Sequence, residues 1–96
     1  MVSPLTIEQR TAALAELLAW RYDPERRAFH RRITLKDFSE AIGLIVRIAL
    51  EAGKADHHPE WANVYNRLDI WLTTHDAGDV SERDVRLAKV IDSLLA

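Results

Sequence analysis

Arg27-Ala28-Phe29-His30-Arg31-Arg32-Ile33-Thr34-Leu35 runs straight into Lys36-Asp37-Phe38, and the hydrophobic period changes at that junction. Up to Leu35, Phe29, Ile33 and Leu35 alternate with Ala28, His30, Arg32 and Thr34, the two-residue period of a half-buried strand. His30 falls on the polar set and reads as a solvated strand residue. Beyond the junction, Phe38, Ala41, Ile42, Ile45, Val46, Ala49 and Leu50 recur at helical spacing, which predicts a helix from about Lys36 to Ala52. Thr34 with Asp37 is expected to cap its start. Gly53 stands where a left-handed residue would close its end.

Upstream, Thr6 with Gln9 three residues on has the form of a capping box. Ile7, Leu14, Leu17 and Leu18 then predict an amphipathic helix over 7–18. Ala19-Trp20-Arg21-Tyr22 reads as a short strand, and Asp23-Pro24-Glu25-Arg26 as the turn that folds it into a hairpin with 27–35. Downstream, Asp56 to Glu60 is expected to be a loop, since Pro59 stops helix propagation. Asn63 to Thr74 reads as extended, with a break at Asn66-Arg67. Asp76-Ala77-Gly78-Asp79 is a loop, and Ser81 caps a last helix carrying Val85, Leu87, Ala88, Val90, Ile91, Leu94 and Leu95 on its apolar face. The order is helix, strand, strand, helix, strand, strand, helix. No crossover is long enough for repeated parallel units, so the expectation is an α+β fold, a four-stranded antiparallel sheet covered by helices on one face.

The chain has 96 residues, 48% of them hydrophobic, and reads as a single domain over 1–96. It has no cysteine, which removes disulfides, thiolate chemistry and zinc-finger frameworks. A net charge of −2 argues against nucleic acid as the main partner, and Arg26-Arg27 and Arg31-Arg32 read as the solvent face of a strand. No apolar run approaches the roughly 18 residues of a membrane span. Met1-Val2-Ser3-Pro4 lacks the charged-then-apolar pattern of a signal peptide, so a cytoplasmic location is expected.

Three of the four histidines fall between Asp56 and Asp84. Imidazole both gives and takes protons near neutrality, with an ordinary pKa of about 6.5. A His57-His58 pair in a loop and His75 at a strand end therefore suggest proton transfer. A metal is the rival use of three histidines. Neighbouring residues in extended chain point to opposite sides, so His57 and His58 are poorly placed to grip one ion, and no metal is expected. Asp84, three residues after Ser81, fits either a helix cap or a partner that orients a site histidine. Trp20 and Trp61 are candidates for core aromatics or for walls of a site, and Tyr65 for the core.

The series His57-His58-Pro59, then Tyr65, His75 and Asp84 at their spacings, resembles the pterin-4a-carbinolamine dehydratases. Trp20, Leu35-Lys36-Asp37-Phe38 and Ser81-Glu82-Arg83-Asp84 resemble that family too, so the likeness covers nearly the whole chain. It departs at Gly53, four positions before His57, where the family usually has a charged residue; Glu51 is out of register with it. The resemblance implies a hydro-lyase acting on 4a-hydroxytetrahydropterin and recycling the pterin of aromatic amino acid hydroxylases, with no cofactor. It implies that His57, His58 and His75 are catalytic, with His57 and His75 moving protons, and that Trp20, Pro59, Trp61 and Asp84 bind substrate. The other class of function it allows is a protein-interaction module, since some members serve as a dimerisation cofactor of a transcription factor.

A further expectation concerns assembly. The apolar arc of the second helix, from Ile48 round to Leu50, spans about 200°, whereas a surface helix needs little more than 100°. Phe38, Ile42, Ile45 and Ala49 are expected to cover the sheet, and Leu44 to lie outermost. The excess predicts self-association, and the family resemblance implies dimers or tetramers.

Overall fold

The computed structural model describes residues 2–96. In order it comprises α1 (Ile7–Glu16), β1 (Arg21–Asp23), β2 (Ala28–Thr34), α2 (Phe38–Ala55), β3 (Glu60–Val64), β4 (Arg67–Leu72), a 3-10 turn over His75–Ala77, and α3 (Glu82–Ser93). The strands form one antiparallel sheet in the order β1-β2-β4-β3, with all three helices on one face. The α+β architecture expected from the periodicities is the one observed.

Register explains the core. Phe29 lies opposite Leu72 and Ile33 opposite Leu68, so Phe29, Ile33, Leu68, Ile70 and Leu72 share the face that meets the helices. They pack with Leu17, with Leu44, Ile48 and Ala52 of α2, and with Leu87, Ala88 and Ile91 of α3. The Thr6–Gln9 capping box forms with both reciprocal bonds, but α1 stops at Glu16 and leaves Ile7 and Leu18 in solvent.

α2 differs from its expectation in three ways. Asp37 alone caps it, accepting the Glu40 N–H at 2.9 Å, while Thr34 stays in β2. Gly53 is helical, and a Cβ there would meet nothing within 4 Å. The left-handed closing residue is Asp56 (φ 50°), whose neighbour His57 donates its N–H to Ala52 O in a Schellman closure. The third difference is the face. Ala41, Leu44, Ile48 and Ala52 cover the sheet, and Leu44 is wholly buried. Phe38, Ile42, Val46 and Leu50 form the outer ridge, 38–63% exposed. Two alanines on the inner stripe let the helix approach the sheet closely, which the bulkier Phe38–Leu50 stripe would prevent.

The chain between β3 and β4 also corrects the reading. β3 begins at Glu60, earlier than the extended stretch suggested. Tyr65, expected in the core, sits in the connecting turn at φ 52° and is exposed, because the two-residue turn points it away from both faces.

The helix-free face of the sheet is polar but not uniformly wet. His30, read as solvated, is buried. Its Nε2 lies 2.8 Å from Asp69 Oδ1, and its Nδ1 accepts from Arg21 Nε at 3.3 Å, which makes Nε2 the protonated nitrogen. Trp71 lies beside it with ring centroids 5.0 Å apart, and the Arg26 guanidinium lies over the Trp71 ring, 3.7 Å from its centroid. Long neighbours thus roof a strand residue that alternation alone places in water.

Asp69 also accepts from Arg32 Nε at 2.9 Å. Burial raises its pKa, but the Arg32 and His30 hydrogen bonds and charges together outweigh that, and the carboxyl is held below its usual value. A depressed carboxyl contributes stability above the unfolded-state value of about 3.9, and that contribution is lost as pH falls below it. Urea titrations at pH 6 and pH 3 should therefore show a smaller acid loss for Asp69→Asn than for the wild type. An equal loss in both would refute this.

Candidate active site

His57, His58 and Pro59 follow the Schellman closure of α2, so the backbone that carries them is pinned to the helix end. His75 opens the 3-10 turn after β4. That turn closes on Gly78, whose φ of 72° suits glycine, and on the Thr74–Asp79 bridge. Tyr22 of β1 ties the far end down by donating its hydroxyl to the Asp79 carboxylate at 2.9 Å. Burial, then this carboxylate, push the phenol above its ordinary pKa.

The two segments meet in a cavity of about 360 Å³, lined by His57, His58, Pro59, Glu60, His75 and Arg83 among others. His75 is 83% exposed at its side chain, with Nε2 3.6 Å from Glu60 Oε2. His58 is exposed, and His57 is mostly covered.

Behind His57 lies Asp84, which is 0% exposed. Its Oδ1 is 2.6 Å from His57 Nε2. Its Oδ2 accepts from Thr74 Oγ1 at 2.8 Å and from the Ser81 N–H at 2.9 Å. Thr74 and Ser81 hydroxyls are themselves 2.6 Å apart. One carboxylate therefore completes the α3 capping box and holds a site histidine at the same time. Where Asp84 acts as an acceptor-only carboxylate, this contact places the proton on His57 Nε2 and leaves Nδ1 outside it.

The structure brings His57, His58, Pro59 and His75 together on one cavity, brings Asp84 to them through His57, and does not bring Trp20 or Trp61 there. Asp84 is sealed behind His57. Trp20 is buried before β1, at the opposite edge of the sheet from β3, with its indole N–H donated to Asp92 at 2.8 Å. Trp61 lies opposite Ile70 on the helix side of the outer strand β3, outside the cavity. Sequence reasoning missed Thr74, Glu60 and Arg83. Thr74 looked like a strand former, and only its contact with Asp84 across ten residues reveals its role. Among the described residues, no group of three or more His, Asp or Glu side chains is arranged to hold a metal ion.

A buried carboxylate thus holds one imidazole, and two further imidazoles stand at the rim of the same cavity in an α+β fold. Residues 3–94 match the family model described as pterin 4 alpha carbinolamine dehydratase. A relative from Rhizorhabdus wittichii is 54% identical over 93 residues, covering 97% of this chain and 96% of its own. Another from Rhodopseudomonas palustris is 50% identical, covering 100% and 95%. Both bear the name "Putative pterin-4-alpha-carbinolamine dehydratase". The crystal structure of a transcriptional coactivator/pterin dehydratase from Brucella melitensis superimposes with a TM-score of 0.93 at 39% identity, covering 98% of this chain and all of that one. The chain belongs to the pterin-4a-carbinolamine dehydratase family.

Proposed function

We propose that this protein dehydrates 4a-hydroxytetrahydropterin to the quinonoid dihydropterin, in the cytoplasm, and so recycles the pterin of aromatic amino acid hydroxylases. The observation that carries this is the 2.6 Å bond from buried Asp84 to His57 Nε2, with His58 and His75 on the same cavity. The reaction breaks the C4a–O bond, delivers a proton to the departing hydroxyl and removes one from N5, so water is the only other product. His57 Nδ1 and His75 are the two proton-transfer groups, and His58 supplies hydrogen bonding to the substrate. Asp84 holds the tautomer of His57 and compensates positive charge on the ring while it carries the proton. Acid–base catalysis of this kind contributes about 10²–10⁴-fold.

His57→Ala and His75→Ala should each lower the metal-free dehydration rate at least tenfold with the fold intact by circular dichroism. A double variant as fast as wild type would sink the assignment.

The outer ridge of α2 supports a second part of the proposal, a homodimer or homotetramer. Phe38, Ile42, Val46 and Leu50 lie at four-residue intervals along the length of α2. A ridge of that kind packs into the groove of an identical helix about a twofold axis, so a second copy of the chain is the self-complementary occupant.

A further inference from the structure

A second cavity adjoins the first. It lies between the end of α2 and the start of α3, has a volume of about 350 Å³, and shares His57 and Arg83 with the histidine cavity. Both volumes are near the lower end for small-molecule sites, so each suits one part of a ligand.

The two differ in sign. The histidine cavity sets Asp56, Glu60 and Asp76 against Arg83, a net −2 with neutral imidazoles. That suits the donor-rich pyrimidine edge of a pterin. The adjoining cavity sets Lys54, Arg83 and Arg86 against Glu51, a net +2, beside an apolar wall of Leu87 and Val90. Within it Lys54 lies 3.5 Å from Glu51, and Arg86 pairs with Glu82 outside the lining. Arg83, at the junction, has no ion pair among the described residues. A guanidinium with no carboxylate partner, placed between two cavities, is available to a ligand that enters both.

We propose that the natural substrate is a tetrahydropterin whose C6 side chain ends in an anion, a phosphate monoester or a carboxylate, received by Arg83, Arg86 and Lys54. This rests on the dehydratase reading and adds the class of side chain. The ring occupies the cavity of His57, His58 and His75, the side chain passes Arg83, and its carbon atoms lie against Leu87 and Val90. The cations act on binding and not on proton transfer, so their effect falls on KM.

The test compares 4a-carbinolamines of tetrahydropterins carrying a methyl, a phosphomonoester or a carboxylate on the C6 substituent. At low ionic strength, kcat/KM for one of the anionic substrates should exceed that for the methyl compound at least tenfold, through KM. The ratio should shrink at about 0.15 M salt, where exposed charges are screened beyond about 8 Å. In Lys54→Gln/Arg86→Gln, both exposed positions, the ratio should fall at least fivefold. Which anion is preferred distinguishes the two side-chain classes. Turnover of all three with equal kcat/KM overturns the anionic side chain and leaves the dehydratase reading standing. Turnover of none overturns both.

Discussion

Asp84→Asn is expected to lower turnover per folded molecule at least tenfold and to destabilise the protein as well. The carboxylate receives three hydrogen bonds in a site closed to water, from His57, Thr74 and the Ser81 N–H. An amide presents one acceptor oxygen and one NH₂, so at least one of those donors would face another donor. Hydrogen bonds to a charged group are worth about 1.5–3 kcal/mol each, and an unmet buried donor costs a comparable amount. The catalytic loss has a separate origin. Without an acceptor-only group behind Nε2, the His57 proton can move to Nδ1, which puts the wrong tautomer toward the substrate. Melting and turnover measured on the same preparation separate the two effects. A lower Tm with unchanged kcat would reduce Asp84 to a helix cap and remove it from catalysis.

The second large effect distinguishes the two faces of α2. Leu44→Glu should abolish folding, because it drives a carboxylate into the core beside Ile48 and the sheet. Burying an unpaired charge and losing the leucine contacts each cost several kcal/mol, against a total stability of about 5–15 kcal/mol. Val46→Glu, on the outer ridge, should leave the fold and cavity intact and shift light scattering to a smaller species. A wild type that is monomeric at micromolar concentration would refute the self-association. A folded Leu44→Glu would refute the inward orientation of that stripe.

The contrast between those two residues shows what periodicity can and cannot decide. The sequence shows that α2 has more apolar arc than one sheet can cover. It does not show which part of the arc faces the sheet, since Ala41 and Ala52 act through the close approach they permit and not through hydrophobicity. Similarly, alternation along β2 places His30 opposite Phe29 correctly. Its burial depends on Arg21, Asp69 and Trp71, which come from three other positions in the sheet register.

The candidate site divides along the same line. His57, His58, Pro59 and His75 were legible because their types and spacing are local properties of the chain. Trp20 and Trp61 do not line the histidine cavity, and their pattern could not show this, because it is the same whether an aromatic residue walls a ligand or fills a gap between elements. Asp84 was legible as a cap, a relation over three residues. Its hold on His57 spans 27 residues and exists only once the ends of α2 and β4 and the start of α3 converge. By itself the sequence determined the elements, their order and the residue types available for proton transfer, because these follow from short-range spacing. The inward face of α2, the sealed carboxylate and the pairing of two oppositely charged cavities were decided by tertiary structure, because each depends on distances between residues far apart in the chain.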